Sequence, residues 1–231
     1  VDNLHVVEPL TARCDYLSGE VPGISCSNVG QAGVDAVLAV KPDVVIEACS
    51  LLSELGILRV LSIAAGVRLE ALEVELAPGT RVVRAMPNTP ALIGQGAAAI
   101  AAGSAAGPDD LDWAAGILSA VGTVAVVEEP LLDAVTGLSG SGPAYLFLLA
   151  EALIDAGCGA GLSREIAAAV TEQTLLGAST LLATSEEEPS TLRERVTSKG
   201  GTTAAGLAVC EAAGNREVVR DVVAAAAERS R

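Results

Sequence analysis

The hydrophobic pattern changes its period once, near Glu128, and that change limits the architectures open to the chain. Before it, short apolar runs alternate with stretches of helical spacing. The runs Leu4 to Val7, Val34 to Val40, Ile57 to Ala64, Arg81 to Ala85, Ala97 to Ala102 and Thr123 to Val127 read as strands. Residues 43–55, 69–76 and 108–121 read as helices. The first run ends in Glu8-Pro9 and is read as a strand followed by a loop. Strands alternating with helices imply a parallel sheet. After Glu128 everything to Arg231 reads as helices and turns, with Gly157 closing one helix, Ser163 capping the next, and Gly214 parting the last two. The expected organisation is an α/β domain over residues 1–127 and an all-α domain over 128–231.

Half of the residues are hydrophobic but only four are aromatic, so the core must be built from Ala, Val, Leu and Ile. Small aliphatic side chains suit close-packed helices and sheets covered on both faces. The net charge of −15 argues against nucleic-acid partners, which need Lys and Arg to displace counterions, and against an anionic membrane surface. The five cysteines are odd in number and form no CxxC pair. That argues against a disulfide framework or a zinc site, and for a reducing, cytoplasmic compartment with no metal. A small buried hydrophobe is the expected role of each cysteine, with a reactive thiol as the alternative. No apolar run reaches the length of a bilayer span, and no signal peptide leads the chain. The chain opens on Val1 rather than Met, and a fragment is the simplest reading.

Two segments carry chemistry. In Ser198-Lys199-Gly200-Gly201-Thr202-Thr203, two glycines let the backbone turn tightly, and two hydroxyls follow at the start of a helix. Exposed N–H groups and the positive end of the helix dipole are how a backbone builds a carboxylate or phosphate site. By local pattern alone, an ordinary turn with a threonine cap is the favoured reading. The second segment, Leu138 to Tyr145, has small residues that permit close approach by another element, and Pro143 suits a first helical turn. Its Gly-Ser-Gly is not a GxSxG nucleophile elbow, because Pro143 follows Gly142. The one histidine, His5, lies on a strand far away in sequence and reads as a satisfied strand residue. So little acid–base equipment is compatible with hydride transfer to a protonated C=N bond, where the cofactor supplies the hydride and the imine carries its own proton.

The stretch Asp133-Ala134-Val135-Thr136-Gly137-Leu138-Ser139-Gly140-Ser141-Gly142-Pro143-Ala144-Tyr145 resembles the pyrroline-5-carboxylate reductases. So does Val196-Thr197-Ser198-Lys199-Gly200-Gly201-Thr202-Thr203-Ala204-Ala205-Gly206-Leu207. Upstream, Ala39-Val40-Lys41-Pro42, Ser62-Ile63-Ala64-Ala65-Gly66 and Met86-Pro87-Asn88-Thr89-Pro90 are similar to the same family, in the expected order. Each motif is weak alone; five in order are specific. The resemblance implies reduction of 1-pyrroline-5-carboxylate to L-proline with NADPH or NADH, the last step of proline biosynthesis. It implies a Rossmann-like domain, N-terminally incomplete, followed by a helical domain that forms a homodimer by interleaving helices, with larger homo-oligomers built from dimers. It places Ser198, Gly200, Gly201, Thr202 and Thr203 on the substrate carboxylate, with the Thr203 hydroxyl also near the ring nitrogen and Glu186 near the substrate. It places Asn28, Ala39, Val40, Lys41, Pro42, Ala64, Ala65, Met86 and Asn88 beside the cofactor, with packing as the alternative role for Lys41 and Met86.

The chain departs from the family pattern in three places. The family begins with a strand and a GxGxxG loop, and no such motif precedes Leu4; the resemblance implies that roughly 25–35 residues are missing and that the central strand position is empty. Lys199 stands where the family usually has proline, either attracting the carboxylate or loosening the loop. The stretch between Pro42 and Ser62 is a residue or two short. Glu8 closing its strand favours NADH through the ribose hydroxyls, while Arg13 favours the extra phosphate, so the cofactor preference stays open. Two other readings remain beside the reductase: a non-catalytic dimeric relative that binds a small carboxylate, and a reductase of another cyclic imine acid or a 3-hydroxy acid.

Overall fold

The computed structural model describes residues 4–230. The chain divides between Thr136 and Gly137 into two compact units. The first unit runs β1 (His5–Val7), α1 (Thr11–Glu20), β2 (Ser25–Ser27), β3 (Ala36–Leu38), α2 (Val45–Glu54), β4 (Arg59–Ser62), α3 (Leu69–Glu75), β5 (Arg81–Met86), β6 (Gly96–Ala102), α4 (Pro108–Ser119), β7 (Gly122–Val126) and α5 (Leu132–Val135). Strands β3-β4-β5-β6-β7 form one sheet in that order, and β1-β2 form a separate parallel pair.

The sheet is mixed, not wholly parallel as the alternation of elements implied: β6 runs antiparallel to β5. The reason is the connection. A parallel neighbour needs a crossover of a dozen or more residues. Residues 87–95 are too few, and they are taken up by a short 3₁₀ turn over Thr89–Ile93. Two elements of the first unit escaped the sequence reading, which left residues after Glu8 as a loop. Helix α1 buries no residue, so it has no apolar stripe to betray it. Strand β2 is three residues long and reads Ser-Cys-Ser.

Strand period explains the two cores. Val60 and Val82 face one side of the sheet, where they meet Val45 and Cys49 of α2, Leu69 and Leu72 of α3, and Leu132. Leu61 and Val83, one residue on, face the other side and meet Ala114 and Leu118 of α4. A sheet covered on both faces leaves no position for polar alternation. Ser62 on β4 and Arg84 on β5 are buried exceptions, and Arg84 is the charged one, at 4 % exposure. Its Nη1 donates to Glu129 Oε1 at 2.9 Å, and the same oxygen accepts the Leu69 N–H at 2.7 Å. One carboxylate oxygen therefore answers a buried guanidinium and caps the first residue of α3.

Cys14 and Cys26 are joined by a disulfide, which corrects the expectation of five unpaired cysteines. The turn after α1 folds β2 back along the helix, bringing the two Cα atoms to 5.5 Å, within bridging range. A sequence spacing of twelve gave no hint of this. Cys49, Cys158 and Cys210 are free. Cys49 is buried, and burial pushes its thiol above the ordinary value, so it stays protonated as a small core hydrophobe. His5 is held in β1 by Ser25 Oγ (2.7 Å from Nδ1) and the Val29 carbonyl (2.8 Å from Nε2).

The second unit is helical: α6 (Gly142–Gly159), α7 (Arg164–Thr184), α8 (Pro189–Arg195), α9 (Thr202–Ala212) and α10 (Asn215–Ser230). Ser163 caps α7 by accepting the Ile166 N–H. Helix α8 was not anticipated, because Pro189 reads as the end of α7; it is instead the first residue of a new helix, where proline's missing N–H costs nothing. Residues 129–159 and α7 are each long and apolar enough to cross a bilayer, by length and composition only. This corrects the reading that no segment reaches that length; the charged residues of α6, Glu151 and Asp155, interrupt the apolar run without lowering its average enough.

A π-helical turn over Thr136–Gly140 leads into α6, and Tyr145 Oη donates to the Gly137 carbonyl at 3.1 Å. Gly137 lies directly against α10: a Cβ there would stand 2.5 Å from the Val223 carbonyl oxygen. Backbone cannot step aside as a side-chain tip can. Gly137→Ala is therefore expected to destabilise the protein by about 1–3 kcal/mol, read as a lower urea midpoint.

Candidate active site

In the first unit, strands β3, β4 and β5 are parallel neighbours in register, with Leu38 opposite Ser62 and Ser62 opposite Arg84. Their C-terminal ends therefore lie on one edge. That edge gathers Ala39, Val40, Lys41 and Pro42 after β3, Ala64 and Ala65 after β4, and Met86 and Asn88 at the end of β5. Open parallel sheets bind ligands at this edge. Apart from Lys41 and Met86 its side chains are short, and Gly66 turns away at φ +74°, so a ligand can approach the backbone closely. Ala64 is buried and Ala65 exposed. Met86 packs against the core, which supports its packing role. The Asn88 Oδ1 accepts the Ala97 N–H at 2.8 Å and ties the loop to β6. Asn28 follows β2 and so sits at the C-terminal end of the other, two-stranded sheet.

The Ser198–Thr203 segment lies wholly in the second unit, between α8 and α9. The Gly201 N–H donates to the Ser198 carbonyl at 3.0 Å, closing a turn, and Gly200 holds φ +70° inside it. Gly201 occupies the cap position of α9, and no side chain caps the helix. The first-turn N–H groups of α9 have no intrahelical partners, by the geometry of any helix start. Thr202 and Thr203 are exposed in that first turn. A Cβ on Gly201 would collide with the Ser198 hydroxyl and force that side chain to turn away, while the left-handed turn itself falls on Gly200. Glu186 sits apart, in the link between α7 and α8, and among the described residues it makes no hydrogen bond or ion pair. Its neighbour Glu187 pairs with Arg195.

The chain has only two lysines, and each falls in one of these two segments, Lys41 at the sheet edge and Lys199 in the loop. Both are exposed. Among the described residues neither forms an ion pair, whereas Arg13, Arg59, Arg81, Arg84, Arg164, Arg195, Arg216 and Arg220 all do.

Residues 129–231 match the family described as pyrroline-5-carboxylate reductase dimerisation. The pyrroline-5-carboxylate reductase of Synechocystis sp. is 46% identical over 234 residues, covering 99% of this chain and 87% of the relative. The chain belongs to the pyrroline-5-carboxylate reductase family. The solved structure of a pyrroline-5-carboxylate reductase from Coxiella burnetii superposes with a TM-score of 0.92 at 36% identity, covering 98% of this chain and 86% of that one. That of Plasmodium falciparum pyrroline carboxylate reductase, with NADP bound, gives 0.80 at 28% identity, covering 99% and 88%. The resemblance drawn from five short motifs thus extends over the whole chain, and the α/β arrangement followed by a helical dimerisation domain is the family's.

Proposed function

We propose that the loop before α9 holds the substrate carboxylate and that the C-terminal edge of β3, β4 and β5 holds NADPH or NADH. As a family member, the chain is an NAD(P)H-dependent oxidoreductase that reduces 1-pyrroline-5-carboxylate to L-proline in proline biosynthesis. The observation that carries the substrate assignment is the uncapped start of α9 behind the Gly200-Gly201 turn. Its free amides and the helix dipole suit a carboxylate. Ser198, Gly200, Gly201, Thr202 and Thr203 form that cradle, and the Thr203 hydroxyl orients the ring nitrogen. Glu186 borders the substrate from the preceding link.

Ala39, Val40, Lys41, Pro42, Ala64, Ala65, Met86, Asn88 and Asn28 would hold the cofactor, and the short side chains and Gly66 turn of the edge fit a group that must lie close to backbone. Bound there, the cofactor supplies a hydride to the C=N carbon. The protein needs no strong acid, because a protonated imine already carries the proton that ends on the proline nitrogen. Its own part is to fix the carboxylate and so the ring.

The exposed Leu146, Phe147, Leu148 and Leu149 of α6, with exposed Leu176, Leu181 and Leu182 of α7, form apolar surface that a second copy covers in a homodimer. That role, rather than a membrane, accounts for the length and apolarity of both helices, and larger homo-oligomers follow from dimers. The net charge of −15 speaks for no nucleic-acid partner. For a cytoplasmic location, the three free thiols count in favour and the Cys14–Cys26 disulfide counts against. The functional division falls at residues 127/128, cofactor before it and substrate and dimerisation after it.

The test is turnover of 1-pyrroline-5-carboxylate with each cofactor, together with NADPH and NADH titration calorimetry. Gly201→Val should raise KM for the substrate at least about tenfold, since crowding the turn removes uniform binding, with cofactor affinity unchanged. An unchanged KM would place the carboxylate elsewhere.

A further inference from the structure

The segment that carries Glu8 and Asn28 is held by hydrogen bonds rather than by a buried apolar face. Helix α1 buries no residue. Strands β1 and β2 pair over three residues each and are not hydrogen-bonded to the five-stranded sheet. The covalent tie between helix and strand is the Cys14–Cys26 disulfide. Cys26 is the middle residue of β2, opposite Val6 of β1. Cys14 Sγ lies 3.7 Å from the Glu8 carbonyl oxygen. The Glu8 N–H donates to the Ser27 carbonyl at 2.9 Å, one residue before Asn28 and one after Cys26. Glu8 Oε1 accepts the Leu10 N–H at 3.0 Å, and Arg13, next to Cys14, stands 3.8 Å from the other Glu8 oxygen. Glu8 therefore contacts Arg13, Cys14 and Ser27, and Arg13 and Asn28 lie one and two residues from the bridged cysteines in sequence. Both cysteines are half-buried, so a thiolate can reach them.

We propose that Cys14–Cys26 is a redox switch on cofactor affinity, tight when oxidised and weak when reduced by a dithiol. The proposal rests on the reading above that Asn28 and its surroundings face the cofactor. A closed loop restricts α1 and β2 to a narrow set of positions; opening it restores their freedom, and a ligand must then reorder them. Disulfides in reducing compartments are usually catalytic or redox-sensing rather than structural. The chemistry is thiol–disulfide exchange. A dithiol thiolate attacks one sulfur of the pair and forms a mixed disulfide, releasing the other cysteine as a thiol. The second thiol of the reductant then resolves the mixed disulfide. Two electrons and two protons reach the protein's cysteines, and the dithiol leaves as its own disulfide.

The experiment uses the full protein, oxidised, reduced with dithiothreitol, and reoxidised. Thiol titration after unfolding in denaturant, which also reaches the buried Cys49, should count three cysteines before reduction and all five after it. NADPH and NADH affinities are measured by calorimetry in each state, beside the Cys14→Ser/Cys26→Ser double variant. The reduced protein and the double variant should bind about tenfold more weakly than the oxidised protein, with reoxidation restoring only the wild type. Equal affinities at three and five titrated thiols would overturn the switch alone. Binding in neither state would overturn the cofactor site itself, and the switch with it. Should the double variant fail to fold, the reduction and reoxidation arm decides.

Discussion

Replacing Thr203 with alanine is expected to lower kcat/KM for 1-pyrroline-5-carboxylate by about a hundredfold, the usual loss when one positioned donor is removed from a reacting centre. The reason is where the hydroxyl sits. Thr136, Thr174, Thr184 and Thr197 each donate their hydroxyl to the carbonyl four residues earlier. Thr203, second in α9, has no helical turn behind it to bond, and among the described residues its hydroxyl makes no hydrogen bond. Exposed as well, it is open to a ligand. Thr203→Ser keeps the hydroxyl and should recover much of the loss. Calorimetry should find NADPH affinity unchanged in both variants, because every residue proposed for the cofactor lies in the other compact unit. A Thr203→Ala enzyme with wild-type kcat/KM would remove this residue from the site.

The second large effect is on stability. Glu129→Ala should destabilise the protein by about 3 kcal/mol, because it strands a charge rather than deleting one. Arg84 is 4 % exposed and its Nη1 faces Glu129 at 2.9 Å. Without the carboxylate the guanidinium stays buried and unpaired, and the Leu69 N–H at the start of α3 loses its acceptor too. Glu129→Gln keeps an oxygen for both donors and removes only the charge, so it should cost clearly less. Urea denaturation of the two variants separates the contributions. Equal midpoints for both and the wild type would show that water replaces the carboxylate without penalty. The double change Arg84→Met/Glu129→Ala should recover stability relative to Glu129→Ala, since it removes the stranded charge.

Much of the first unit was legible because its signal is local. Short apolar runs closed by Lys41-Pro42, Gly66 and Pro78-Gly79 mark elements whether or not their neighbours are known, and five of the six strands read this way lie in the main sheet. The direction of β6 was not legible, because it depends on how few residues join it to β5. Nor were α1 and β2, which lack the apolar face that periodicity detects. The Ser198–Thr203 loop was recognisable as a turn before a helix, yet the same letters serve an ordinary cap. Family resemblance, rather than spacing, is what favours the carboxylate site.

By itself the sequence determined the change from mixed to helical structure near Glu128, an aliphatic core, a glycine turn ahead of α9, and the family. These follow from residue type and near-neighbour order, where backbone freedom and hydrophobic period act. The tertiary structure alone decided which distant residues meet. It paired Cys14 with Cys26 and Arg84 with Glu129, and it set Gly137 against α10. Such pairings depend on where the chain folds back, and a linear pattern of polar and apolar residues carries no record of that.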